Sequence, residues 1–141
     1  NMNSMTVVAR LVSAAALSVM LVTVAGCAPS PGIGSVHPGI PDGVTLDPLD
    51  GSPTAARIER GESFAIVTMG SSSCPVVASS IDAAEDDRVS VTFGPSPNDP
   101  CSADMAPTTH EFDLPAGVTS DTITVEIRFE EWPEVYTVTL D

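Results

Sequence analysis

The clearest order in the chain is an alternation of apolar and polar residues with a period of two. From Thr122 to Phe129 it runs without error, setting Ile123, Val125, Ile127 and Phe129 on one side of an extended backbone and Thr, Glu and Arg on the other. Arg88 to Phe93 repeats it with Val89, Val91 and Phe93 inward, and Val135 to Leu140 with Tyr136, Val138 and Leu140 inward. Such stretches predict half-buried antiparallel strands. Ser63 to Met69 differs, because Phe64 and Ile66 on one side face away from Ala65, Val67 and Met69 on the other. That pattern predicts a central strand covered on both faces. Thr54 to Ile58 should pair with it across the turn Glu59-Arg60-Gly61-Glu62.

Turn chemistry separates these runs. Asp82 to Asp87, Gly94 to Pro100, Pro115-Ala116-Gly117 and Glu130-Glu131-Trp132-Pro133-Glu134 are dense in Gly, Pro, Asp and Asn or in clustered charge. Short strands between regularly spaced turns predict an all-β fold, a single small antiparallel β-sandwich of the immunoglobulin-like or fibronectin-like kind with six to eight strands. It occupies residues 54–141. The buried Trp between paired cysteines that marks antibody domains is absent, and the one Trp, Trp132, falls in a predicted hairpin loop.

The first part of the chain follows other rules. Arg10 is followed by an uncharged run from Leu11 to Ala25, interrupted by Ser13, Ser18 and Thr23 and ending at Cys27. A spanning helix needs about 20 apolar residues, so an export leader over residues 1–26 is the better reading. From Ala28 to Pro53 the density of Pro and Gly excludes a regular helix or a central strand. Residues 27–53 therefore read as a linker or tether, with Val44 to Leu46 placed along the domain as an edge strand.

Val24-Ala25-Gly26-Cys27 resembles the lipobox of bacterial lipoproteins, in which small residues precede a cysteine that becomes the mature N-terminus. The resemblance implies that Cys27 carries a diacylglyceryl group and further acylation such as palmitate, holding the protein outside the cytoplasmic membrane. Two acyl chains anchor nearly permanently, at about 0.8 kcal/mol per buried methylene. With Cys27 lipidated, Cys74 and Cys101 are left as an even pair in an oxidising compartment, so a disulfide between them is expected. Gly70-Ser71-Ser72-Ser73-Cys74-Pro75 and Cys101 to Thr109 resemble small uncharacterised lipoproteins of actinobacteria, which implies no activity.

Charge narrows the partners. Beyond Cys27 there are four arginines and no lysine against nineteen acidic residues, a net charge of −15. Nucleic acid is excluded as a partner, and anionic headgroups would be repelled, so contact with the membrane is expected through the lipid on Cys27 alone.

Four groups of residues merit weighing for chemistry. Ser71, Ser72 and Ser73 lack the strand-turn-helix setting of a serine nucleophile and read as a loop leading into a disulfide. His110 shares a face with Phe112 and Leu114 and reads as a buried, hydrogen-bonded histidine, whereas His37 in the tether reads as solvated. Asp82, Glu85, Asp86 and Asp87, with Asp99 and Asp104, offer oxygen ligands for calcium but match no EF-hand spacing, so no metal or cofactor is assigned. Trp132, flanked by Glu130, Glu131 and Glu134, either contacts a partner or folds back over the sheet end.

These readings converge on a monomeric, membrane-anchored lipoprotein, a non-enzymatic binding or accessory module of the cell envelope. Its partner is an envelope protein or a small ligand. A solute-binding or calcium-binding protein is the alternative, and an envelope hydrolase a third.

Overall fold

The computed structural model describes residues 33–47 and 49–141, so the leader and Cys27 lie outside the described residues. Eight strands and no helix make up the described part: β1 (Ser35–Pro38), β2 (Thr54–Glu59), β3 (Ser63–Gly70), β4 (Val77–Glu85), β5 (Arg88–Gly94), β6 (Ala106–Asp113), β7 (Ile123–Phe129) and β8 (Trp132–Leu140). They form two four-stranded sheets, β1-β6-β3-β2 and β4-β5-β7-β8. The all-β sandwich with one disulfide agrees with the sequence pattern. One pairing departs from an antiparallel scheme, because β5 and β7 run parallel. Their connection passes through β6 in the opposite sheet, which supplies the long crossover that a parallel pair needs.

The alternating positions seal the interior. Val89, Val91, Phe93, Ile123, Val125, Ile127 and Leu140 from one sheet meet Phe64, Ile66 and Phe112 from the other, all with at most a few per cent exposure. Phe93 bridges the layers, with its ring 6.3 Å from Phe112 and 4.8 Å from the imidazole of His110. Fully burying one such side chain contributes about 1.5–3 kcal/mol. On the opposite side of β3, Ala65 and Val67 are also fully buried, as expected for a strand covered on both faces.

The β2–β3 hairpin forms across the predicted turn, closed by the amide of Glu62 donating to the Glu59 carbonyl at 3.1 Å. Gly61 takes φ +77° there, a conformation in which a side chain would be strained.

Three predicted boundaries move. The edge strand in the breaker-rich segment is Ser35–Pro38, not Val44–Leu46, because β6 offers it a full antiparallel register from Ser35 opposite Glu111 to Pro38 opposite Thr108. Gly34 makes that approach possible, since a Cβ at its position would run into the Glu111 carbonyl and the Phe112 ring. Val44 and Leu46 are half-buried in the irregular connection that carries the chain from β1 to β2 at the far edge of the sheet. The supposed turn Asp82–Asp87 is mostly strand, with only Asp86 and Asp87 between β4 and β5. Trp132 is the first residue of β8 rather than a loop residue, and Pro133 is tolerated beside it because β8 is an edge strand.

Two ties hold the layers at opposite ends. At one end Arg57 on β2 donates to the carbonyls of Asp141 at 3.1 Å, Leu140 at 3.2 Å and Asp121, joining the first sheet to the end of β8. At the other end Cys74 and Cys101 are disulfide-bonded, linking the loop from β3 to β4 with the loop from β5 to β6. Both loops cross between the sheets.

Replacing Arg57 with Met removes charge-assisted bonds to three backbone acceptors and should lower unfolding free energy by about 2–3 kcal/mol, read as a lower urea midpoint at unchanged slope. The double variant Cys74→Ala/Cys101→Ala should lose about 3–4 kcal/mol on the chain-entropy relation for a 27-residue separation. An unchanged melting temperature would contradict that.

Candidate functional site

A cleft of about 430 Å³ opens at the disulfide end of the sandwich. The ends of β3, β7 and β8 and the crossing loops build it. Phe129 closes β7, and Trp132 and Tyr136 face it from β8, which pairs Trp132 with Phe129 and Tyr136 with Ile127. Met69 and Gly70 end β3, while Ser71, Cys74, Val76 and Met105 come from the crossing loops. Gly51 and Pro53 complete the rim beside β2, and Glu134 is the one charged residue of the lining.

The aromatic walls stand at steep angles to one another. The Phe129 ring lies 5.3 Å from Trp132 at 65° and 6.1 Å from Tyr136 at 86°, both edge-to-face arrangements that suit the ring quadrupoles. Phe129 also stacks on Phe93 at 5.7 Å, so the cleft is continuous with the core through ring contacts. Trp132 nevertheless stays 55% exposed and Met105 67%. Trp132 thus folds back far enough to touch Phe129 while leaving much of its indole open.

Behind the rim residues Ser71 and Cys74, a polar network joins the two crossing loops. Ser102 Oγ donates to Asp104 Oδ1 at 2.5 Å, and the Ser72 amide donates to the same oxygen at 3.0 Å. Ser73 Oγ accepts from the Ser102 amide at 2.7 Å, Ser71 Oγ lies 2.9 Å from Ser102 Oγ, and Asn98 Nδ2 donates to the Ser73 carbonyl at 2.8 Å. The hydroxyl and amide donors hold the Asp104 carboxyl at about 2, well below its ordinary range. What this pairing adds to stability is present above the ordinary carboxylate range and is lost as pH falls through about 2. The serines are thus engaged with one another and with a very weak base, and none of their partners is an imidazole. That arrangement suits a loop staple better than a nucleophile.

His110 points from β6 into the interior with no exposure. Its Nε2 lies 3.0 Å from Thr68 Oγ1, while Nδ1 is buried without a partner. Burial first, and the charge of His37 second, push it down to about 4, so the ring is neutral in the folded protein at physiological pH. His37, expected in a solvated tether, stands in β1 with its imidazole 3.4 Å from Glu111. Asp82, Glu85, Asp86 and Asp87 are exposed along the end of β4 and its turn, where the Asp86 carbonyl accepts from Thr119 and Ser120. Among the described residues no three His, Cys, Asp or Glu side chains converge as a metal site would require.

The sequence pattern points to Trp132, with Glu134 beside it, and to the disulfide, but places Phe129, Tyr136 and Met69 as ordinary strand packing and gives Met105 no role. The available signal was positional, since Phe129 and Tyr136 are the inward residues nearest the Trp132 turn. The methionines carry no pattern that separates them from loop or strand filler. No protein-family model matches the chain, and comparison with curated proteins and with solved structures likewise finds no match.

The depressed His110 makes stability depend on pH in a defined window. The unfolded chain binds a proton near 6.5 and the folded one near 4, so stability should fall by about 3 kcal/mol as pH drops between those values. Urea unfolding across that range should show the slope in the native protein and a much flatter one in His110→Gln, which retains a hydrogen-bonding group for Thr68.

Proposed function

We propose that the protein is an exported lipoprotein, anchored through lipid on Cys27, whose β-sandwich is a non-enzymatic binding module. The observation that carries the reading is the end cleft, where an exposed Trp132 and Met105 frame about 430 Å³ of mainly apolar space. That volume lies in the range of small-ligand sites, and an exposed aromatic beside it is the usual form of a contact residue. A hydrolytic reading has less support, because the serine cluster lacks a competent base. The lipobox resemblance at Val24-Ala25-Gly26-Cys27 supplies the anchor, and the disulfide is consistent with an oxidising compartment.

Four measurements test the proposal. Mass analysis of the mature N-terminus should find an acylated Cys27, and Cys27→Ser should move the protein out of the membrane fraction. An unmodified thiol would overturn the anchor. Trp132→Ala should cost only about 1–2 kcal/mol, below the usual 3–5 for a buried Trp, because much of the ring is exposed. Photocrosslinking in cells from position 105 on the cleft rim should give adducts that Trp132→Ala removes, whereas position 137 on the outer face of β8 should give none. Equal labelling from both positions would contradict a binding role for the cleft.

A further inference from the structure

We infer that the cleft binds a small organic cation with a compact alkylammonium or quaternary ammonium head, held by an aromatic corner and one carboxylate. The inference rests on the cleft being a binding site as proposed above and adds the chemistry of its occupant. Trp132 and Tyr136 stand at 65° and 86° to Phe129, so three rings present differently directed faces and edges around one volume. A methylated ammonium group gains from the negative faces of such rings and, being weakly hydrated, loses little on leaving water. The thioethers of Met69 and Met105 add soft, polarisable surface to the same walls.

Charge selects the cation over a neutral ligand of equal shape. Among the described residues Glu134 is the one charged residue lining the cleft, and no basic side chain lines it. The nearby basic groups are engaged or distant. Arg57 is committed to the carbonyls of Asp121, Leu140 and Asp141, Arg88 and Arg128 are both bound to Glu126, and Arg60 lies in the β2–β3 turn. Glu130 is turned to Ser79, whose hydroxyl donates to it at 2.7 Å, which leaves Glu134 as the counter-ion. The overall charge of −14 concentrates cations around the protein and disfavours anionic ligands. A concave volume of about 430 Å³ suits a small solute better than a folded partner's surface.

The test uses the full mature protein in a non-ionic detergent, with choline as probe and neohexanol as its uncharged carbon isostere. Trp132 is the sole tryptophan, so its fluorescence reports the cleft directly. Choline should perturb it saturably and bind about tenfold more tightly than neohexanol by calorimetry. Trp132→Leu, which keeps apolar area without a ring face, should abolish that preference while leaving neohexanol binding and circular dichroism unchanged. Glu134→Gln should weaken choline about threefold to tenfold and leave neohexanol unaffected. Equal affinity for the two probes would overturn the cation assignment and leave the cleft as an apolar binding site. Binding of neither probe, with crosslinks from position 105 intact, would overturn the assignment alone; loss of those crosslinks as well would remove the binding role. A spectral shift with phosphatidylcholine vesicles but not with choline would reassign the cleft to a bilayer surface and also overturn it.

Discussion

The structure depends first on how its two sheets are joined at the end where the chain crosses between them twice. The loop from β3 to β4 and the loop from β5 to β6 both make that crossing, and the Cys74–Cys101 bond converts two independent connections into one. Loops carry backbone groups that no sheet ladder satisfies, so they need partners of their own. Here Ser71, Ser72, Ser73, Asn98, Ser102 and Asp104 supply them to one another, and the covalent bond keeps the donors within reach. The cleft follows from the same constraint. Ser71, Cys74, Val76 and Met105 are held at its rim because the loops that bear them are tied, while the strand ends beneath contribute Phe129, Trp132 and Tyr136.

At the far end the chain crosses once more, from β6 to β7, and Arg57 adds a side chain reaching three carbonyls near the end of β8 and the start of β7. The edge between β2 and β8 is therefore closed at one end and open at the other. Closure by a guanidinium and opening onto aromatic rings explain why an apolar cavity survives in so small a protein. The core between the ties is dense with Phe and β-branched residues, and strands anchored at both ends have little freedom to collapse onto the cleft.

How much of this the sequence disclosed follows from which forces acted locally. β5, β7 and β8 were legible because every inward residue of their alternation meets the sealed core, and β3 because it is apolar on both sides. β4 was not, since register shifts between Ala78 and Ser80 and between Ala83 and Glu85 break the period, and its small Ala and Ser side chains carry little signal. β1 was misplaced because Ser-Val-His-Pro has no strand pattern of its own and is extended only through pairing with β6. The parallel β5–β7 pair is a matter of topology that no local pattern encodes. The cleft escaped for a related reason: Met69, Met105 and Glu134 come from distant parts of the chain and acquire a common role only after folding.

The position of β1 also changes what the proposed anchor would do. A linker over residues 27–53 would let the domain stand far from the bilayer, but Ser35 already belongs to a sheet, so the distance from Cys27 to Ser35 is at most about 28 Å even fully extended. The direction of β1 then matters. Ser35 pairs with Glu111 and Pro38 with Thr108, so the chain enters β1 farther from the cleft and runs towards the end where Gly70 meets Ala106. The amide of Ile33 also donates to the Ala78 carbonyl at 3.4 Å, which ties the entry to β1 against β4 as well as β6. If Cys27 carries lipid, so short a span would keep the domain close to the membrane surface. Such an anchor would leave a cleft built from β3, β7, β8 and the crossing loops, with no residue of β1 in its lining, open to solutes in the surrounding medium.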